Sequence, residues 1–298
     1  MHKHWIFFLL AAMLAAAWSV EPADAKGRFG HRTKPVYYLA LGTSLAAGIQ
    51  ADRQTCESVP SPVSYPKFLE WKIRKKVRNA ELVNLGCPGE TSATFIHGGI
   101  CYPEGSQLSE AKTFLEDHRE DTILITIDMG ANDVLPCFFD PEVLPEDIPG
   151  CVQDRVADLA GNLGFILSEI RSVAPDTPVI GSNYYNPLLI TWFQDPGLAM
   201  MLAELQTALN NALGAVYAGF GIPVADVAEA FWSNEFEDNN ENGLPDNVDR
   251  ICAWTWMCKC ENIHANWIGY WKMADAFEEE LPEFPSYRPP WWFFKFWH

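Results

Sequence analysis

The feature that most limits this 298-residue chain is an alternation repeated along its length. Five short strand-forming runs, Val36 to Leu41, Ala80 to Leu85, Thr122 to Met129, Pro178 to Asn183 and Pro223 to Val227, are separated by longer helical patterns. In one of these, Val152, Val156, Leu159, Leu163, Ile166, Leu167 and Ile170 recur at helical spacing, and Ala174-Pro175 closes it. Tyr65 to Val77, Gly197 to Tyr217 and Asn266 to Leu281 are the others. Strands that alternate with helices form a parallel sheet covered on both faces, joined by right-handed crossovers. The expectation is a three-layer α/β/α sandwich with a five-stranded parallel sheet.

The ends of the chain read differently. A short basic start (His2, Lys3, His4), an apolar run from Trp5 to Trp18 and the small-x-small triplet Ala23-Asp24-Ala25 predict a signal peptide over residues 1–25. The apolar run is short for a membrane span. One domain is expected over 26–281, with an aromatic tail over 282–298. The run Pro289 to His298 is rich enough in Trp and Phe to pack on the domain, cover a cleft or touch a membrane surface. A formal charge of -18 disfavours nucleic acid as a partner. A monomer, secreted or periplasmic, is expected.

The first strand ends in Gly42-Thr43-Ser44-Leu45, which puts a hydroxyl where open parallel sheets bind ligands. Read alone, Ser44 is equally the cap of the next helix. Three further blocks bear on it: Asn84-Leu85-Gly86-Cys87-Pro88-Gly89-Glu90-Thr91, Gly130-Ala131-Asn132-Asp133 and Glu261-Asn262-Ile263-His264. With these four blocks in this order the chain resembles the SGNH (GDSL-type) serine hydrolases over most of Val36 to Leu281, a family whose fold is flavodoxin-like. Two departures stand out. The family's Gly-Asp-Ser-Leu has Thr43 in place of Asp, and its Asp-x-x-His has Glu261 in place of Asp.

The resemblance implies Ser44 as nucleophile, His264 as its base and Glu261 as the acid that orients the imidazole. It implies an oxyanion hole made by the Ser44 N–H, the Gly86 N–H and the Asn132 side chain. The chemistry needs each part, because a serine hydroxyl is a poor nucleophile without a base and the oxyanion needs preorganised donors. Asn262 or a backbone carbonyl could orient the ring instead of Glu261, and His97 is the rival histidine. Tyr184 and Tyr185, just past the fourth strand, are candidates to line the substrate cleft.

Eight cysteines follow the signal and fit an oxidising compartment. Cys87 with Cys101 and Cys137 with Cys151 are the expected short-loop pairs, while Cys252, Cys258, Cys260 and His264 also have the composition of a zinc site. Asp238, Asn240, Asn242, Asp246 and Asp249 around Gly243 have EF-type spacing for a structural calcium ion, or else make a solvated polar loop. No catalytic cofactor is expected. The reading is a secreted esterase or lipase acting on small-molecule or lipid esters, with polysaccharide O-acetyl ester hydrolysis or a non-catalytic binding role on the same fold as alternatives.

Overall fold

The computed structural model describes residues 34–99 and 101–284. The expected signal peptide over residues 1–25 and the aromatic run Pro289 to His298 lie outside the described residues.

The chain forms β1 (Val36–Gly42), α1 (Ser44–Ala47), β2 (Ile49–Ala51), β3 (Ser58–Pro60), α2 (Tyr65–Arg74), β4 (Ala80–Asn84), α3 (Ser92–His97) and α4 (Gln107–His118). It continues through β5 (Thr122–Asp128), α5 (Ala131–Val134), α6 (Pro136–Phe139), α7 (Ile148–Val173), β6 (Val179–Ser182), α8 (Pro196–Gly219) and β7 (Val224–Ala225). The last part is α9 (Val227–Ala230), α10 (Asp246–Trp254), β8 (Thr255–Trp256), α11 (Met257–Cys260), β9 (Asn262–Ala265) and α12 (Trp267–Glu279).

Five strands make one sheet in the order β4-β1-β5-β6-β7, every pair parallel. The chain moves outward from β1 to β4, then returns across β1 to β5 and continues to β6 and β7. The reversal makes a switch point beside the carboxyl end of β1, the usual place for a ligand in such sheets. Apolar side chains explain the sheet's position. Tyr38 to Leu41 are fully buried in β1, as are Leu124, Ile125 and Ile127 in β5. The helices fall into two packed sets flanking the sheet, α2 with α12 and α7 with α4 and α8. In α7 the buried face is Val152, Leu159, Leu163, Ile166, Leu167 and Ile170, as the periodicity predicts. Tyr65 of α2 stacks on Phe277 of α12 with ring centroids 4.6 Å apart.

Two small antiparallel hairpins were not legible as strands: β2 pairs with β3, and β8 pairs with β9. Four disulfides form, and no cysteine among the described residues is free. Cys87–Cys101 and Cys137–Cys151 are the expected pairs. Cys252–Cys258 and Cys56–Cys260 use the remaining four thiols, which removes the zinc reading.

Cys56–Cys260 spans 204 positions and Cys252–Cys258 only 6. Loop entropy makes the long bridge the more stabilising, by about 2 to 3 kcal/mol on the chain-entropy scale. Paired Cys→Ser exchange at positions 56 and 260 is therefore expected to lower the melting temperature clearly more than the same exchange at 252 and 258. A calorimetric scan showing equal losses would contradict this.

Candidate active site

The serine turn is built on a buried carboxylate. Asp128 is the last residue of β5 and is completely buried. Its Oδ1 accepts from the Thr43 N–H (2.9 Å) and the Thr43 hydroxyl (2.6 Å), and its Oδ2 accepts from the Tyr65 hydroxyl (2.9 Å). Thr43 is the N-cap of α1, so this clamp fixes the residue immediately before Ser44. The clamp also dictates Gly42, whose φ is +134° and at which a Cβ would lie 2.4 Å from the Asp128 carbonyl oxygen. Gln107, buried in α4, closes the other side, accepting from the Gly42 N–H (2.6 Å) and donating to the Gly42 carbonyl (2.9 Å) and to Glu90 (2.9 Å). Thr43 thus replaces the family's aspartate without loss of a carboxylate at the turn, because Asp128 supplies one from the neighbouring strand. Burial raises the Asp128 pKa to about 7 even though three donors point at it.

His264 lies on β9, where side chains alternate between two faces, so Asn262 and His264 share one face. The structure corrects the expected acid accordingly. Glu261 precedes the strand in a left-handed conformation (φ +51°) as the C-cap of α11, and its side chain is exposed. The ring is held by Asn262, whose Oδ1 lies 2.7 Å from His264 Nδ1. The Asn262 amide donates to the Ser58 hydroxyl of β3 (2.9 Å), which fixes the carbonyl end toward the imidazole. Nδ1 then carries the proton and Nε2 is left as the base. Tyr185 steadies the same strand by donating to the Ile263 carbonyl (2.7 Å). With no carboxylate at the ring, burial lowers the His264 pKa to about 4.

Ser44, Asn132 and His264 line one pocket with Thr43, Tyr184 and Tyr185. Its apolar wall is Leu45, Val134, Leu135, Phe138, Leu188 and Leu209. His97 is exposed at the end of α3 and does not line this pocket.

Asn132 donates one amide hydrogen to the Glu90 carbonyl (2.9 Å) and has a second to offer. Gly86 does not serve as expected. Its N–H donates to the Asn84 side chain (3.0 Å), and the residue is wedged against α1, where a Cβ would meet Ala46 at 2.6 Å. The next glycine fits better. Cys87 to Glu90 is a turn closed by the Glu90 N–H to the Cys87 carbonyl (3.2 Å), with Pro88 second and Gly89 third at φ +79°, the residue pattern of a type II turn. The Gly89 N–H takes no protein acceptor among the described residues, and Gly89 adjoins Glu90, to which Asn132 is anchored.

In the polar loop the carboxylates take the loop's own donors. Asp246 is buried and accepts the amides of Asn239 (2.8 Å) and Asn240 (2.9 Å), Asp249 accepts the amide of Asn242 (2.6 Å), and Asp238 accepts the N–H groups of Asn242 and Gly243. Among the described residues no group of three or more His, Cys, Asp or Glu is poised for a metal. These contacts give the loop Asx-style turns.

The model of the GDSL-like lipase/acylhydrolase family matches residues 40–272. The chain belongs to that family. A search of curated proteins by sequence gave no match. Solved structures share the family fold. A lipase from a goat rumen metagenome is 18% identical, with a TM-score of 0.54 over 82% of this chain and 96% of that one. An acetylxylan esterase from Geobacillus stearothermophilus is 14% identical, with a TM-score of 0.51 over 84% and 95%. A protein described as a GDSL-like lipase, from Parabacteroides merdae, is 12% identical, with a TM-score of 0.53 over 83% and 95%. Membership establishes a carboxylic ester hydrolase, and the fold similarity does not choose among substrates.

Asp128 and His264 titrate in opposite senses. The unfolded chain releases the Asp128 proton near 3.8 and the native protein keeps it to about 7, so this group makes stability fall as pH rises through that window. The unfolded chain protonates His264 below 6.5 and the native protein resists until about 4, so His264 makes stability rise with pH over that range. Relative to wild type, Asp128→Asn is expected to steepen the rise in stability from pH 4 to 7, and His264→Gln to flatten or invert it. Urea unfolding at several pH values reads this, and three parallel curves would refute it.

Proposed function

We propose that the protein is a serine esterase that hydrolyses esters of short acyl groups through an acyl-enzyme. The observation that carries this reading is the convergence of Ser44, Asn132 and an imidazole held at Nδ1 on a single apolar pocket. Ser44 Oγ attacks the ester carbonyl as His264 Nε2 takes its proton. The oxyanion is met by the Ser44 and Gly89 N–H groups and the second amide hydrogen of Asn132. Collapse returns the proton from Nε2 to the departing alcohol. Water, deprotonated by the same nitrogen, then releases the acid and restores Ser44.

An asparagine suffices as orienter because its job here is to fix the tautomer. In a serine triad an Asp-to-Asn change is damaging when the amide turns its N–H₂ toward the ring. Ser58 accepts that N–H₂ group and leaves the carbonyl for Nδ1–H.

The cavity supports a short acyl group. Its volume is ≈ 50 Å³, against about 150 Å³ for an apolar cavity that admits benzene. That is room for a few heavy atoms beside the serine. The four disulfides support export to an oxidising compartment, with the signal peptide over 1–25 removed.

Ser44→Ala and His264→Ala are each expected to abolish nearly all turnover, with the double variant little worse, since the two act as a unit. Fluorophosphonate labelling should require Ser44. Across p-nitrophenyl esters, kcat/KM should be highest for acetate to butyrate and fall steeply by octanoate. Equal rates for octanoate would refute the short-acyl reading.

The acid limb of kcat/KM is expected near pH 4, where His264 begins to protonate. Asn262→Asp places a negative charge at Nδ1 and should move that limb upward by at least about one pH unit. Asn262→Ala should lower kcat by at least about tenfold, and Glu261→Gln should leave it near wild type. A tenfold loss in Glu261→Gln would instead restore the carboxylate triad.

A further inference from the structure

A second recess meets the reaction pocket at Asn132. It is lined by Thr91, Ala93, Asn132, Asp133, Pro136, Arg155, Asp158 and Asn162, from α3, α5, α6 and α7. Its volume is ≈ 330 Å³, well above that of the pocket around Ser44. Asn132 is common to both, so a group seated in the recess lies one side chain away from the carbonyl oxygen that this amide would bind.

The recess has the opposite chemistry to the acyl pocket. Part of its polar wall is already committed. Asp133 accepts from the Ser92 N–H (3.0 Å) and hydroxyl (2.5 Å), and Asn162 donates to the same Ser92 hydroxyl (3.0 Å). That lattice makes the wall rigid and aims the Asn162 carbonyl oxygen away from Ser92. Arg155 and Asp158 are the uncommitted charges, both exposed on the first half of α7. Arg155 makes no ion pair within 4 Å among the described residues, although its charge is felt by the Asp133 carboxyl. Donors and acceptors therefore stand side by side: guanidinium N–H groups from Arg155, carboxylate oxygens from Asp158, and an amide oxygen from Asn162.

This composition selects a ligand class. An apolar group would strip water from these charges without replacing its hydrogen bonds. An anion would face Asp133 and Asp158 with one arginine to offset them, on a chain of formal charge -18. A cation would find Asp133 already spent on Ser92, and Asp158 beside the guanidinium of Arg155. A neutral group carrying several hydroxyls can donate to the carboxylate and accept from the guanidinium at once, because each hydroxyl does both. A volume of ≈ 330 Å³ also falls at the lower end of the about 300 to 1,000 Å³ typical of small-molecule sites.

We propose that the recess of Arg155, Asp158 and Asn162 is a subsite for a neutral polyhydroxylated portion of the substrate, such as a sugar ring, whose short acyl ester is presented to Ser44. The proposal rests on the esterase reading and adds the class of molecule that carries the ester. It accounts for the small acyl cavity, since substrate affinity then comes from the hydroxylated part and the acyl group needs only to fit.

The test compares p-nitrophenyl acetate with 6-O-acetylglucose in wild type, Arg155→Ala and Asp158→Ala, by acetate release. Both residues are exposed on a helix, so the variants are expected to fold. Hydrolysis of p-nitrophenyl acetate should stay within about twofold of wild type, while KM for 6-O-acetylglucose should rise at least about fivefold with a smaller change in kcat. Unchanged constants on the sugar ester, or equal losses on both substrates, would overturn the subsite. Binding is read separately by saturation-transfer NMR with methyl glucopyranoside on Ser44→Ala protein. A signal there that Arg155→Ala removes, in a wild type that hydrolyses neither ester, would sink the esterase reading and leave the subsite standing. No signal, with p-nitrophenyl acetate still hydrolysed, would do the reverse.

Discussion

Much of this active site depends on one carboxylate that touches no substrate. Asp128 takes three hydrogen bonds where water cannot reach, two of them from Thr43, so the residue before the nucleophile has a fixed backbone and a fixed side chain. A buried carboxyl is costly unless its acceptor capacity is filled, and these donors fill it. Gly42 follows from the same contact, since nothing larger than hydrogen fits beside Asp128. Gln107 then ties Gly42 to Glu90, and Glu90 offers its carbonyl to Asn132. One continuous set of polar contacts runs from the Ser44 turn to the Asn132 side chain, through residues of β5, α4 and the loop after β4.

The base is positioned by a separate set. Ser58 fixes the sense of the Asn262 amide, Asn262 fixes the imidazole, and Tyr185 holds the intervening strand by its Ile263 carbonyl. None of these contacts is charged. The result is a histidine whose basicity is set by burial, in contrast to a triad whose carboxylate raises it. Orientation and basicity, which a carboxylate supplies together, are here separated. The ring keeps its geometry and stays neutral further into acid.

The architecture was largely legible in the sequence because parallel strands buried on both faces leave continuous apolar runs, and α7 shows one unbroken helical face. Ser44, Asn132 and His264, which line one pocket, stood out in the sequence because each sits in a short motif block. What was not legible depends on local geometry that residue identity does not carry. Asp128 reads as the polar end of an apolar strand. Asn262 outranks Glu261 only once β9 is known to be a strand, since alternation then decides which neighbour faces the ring. Gly86 and Gly89 sit three apart in one loop, and only their hydrogen bonding tells which N–H is spent. In the polar loop, spacing alone could not show that the amides of Asn239, Asn240 and Asn242 answer the carboxylates themselves.

The Cys56–Cys260 bridge joins the hairpin that carries Ser58 to the segment that carries Asn262 and His264. These halves of the base's support are separated by nearly the whole sheet in chain order. Ser44 and its turn lie early in the chain and the imidazole late, so the pocket they share is complete only when the final segment docks. The covalent tie joins the same two segments. The bridge therefore closes a loop of nearly the whole domain directly beside the Asn262–Ser58 contact, so the placement of the imidazole is backed by a covalent link between distant parts of the chain.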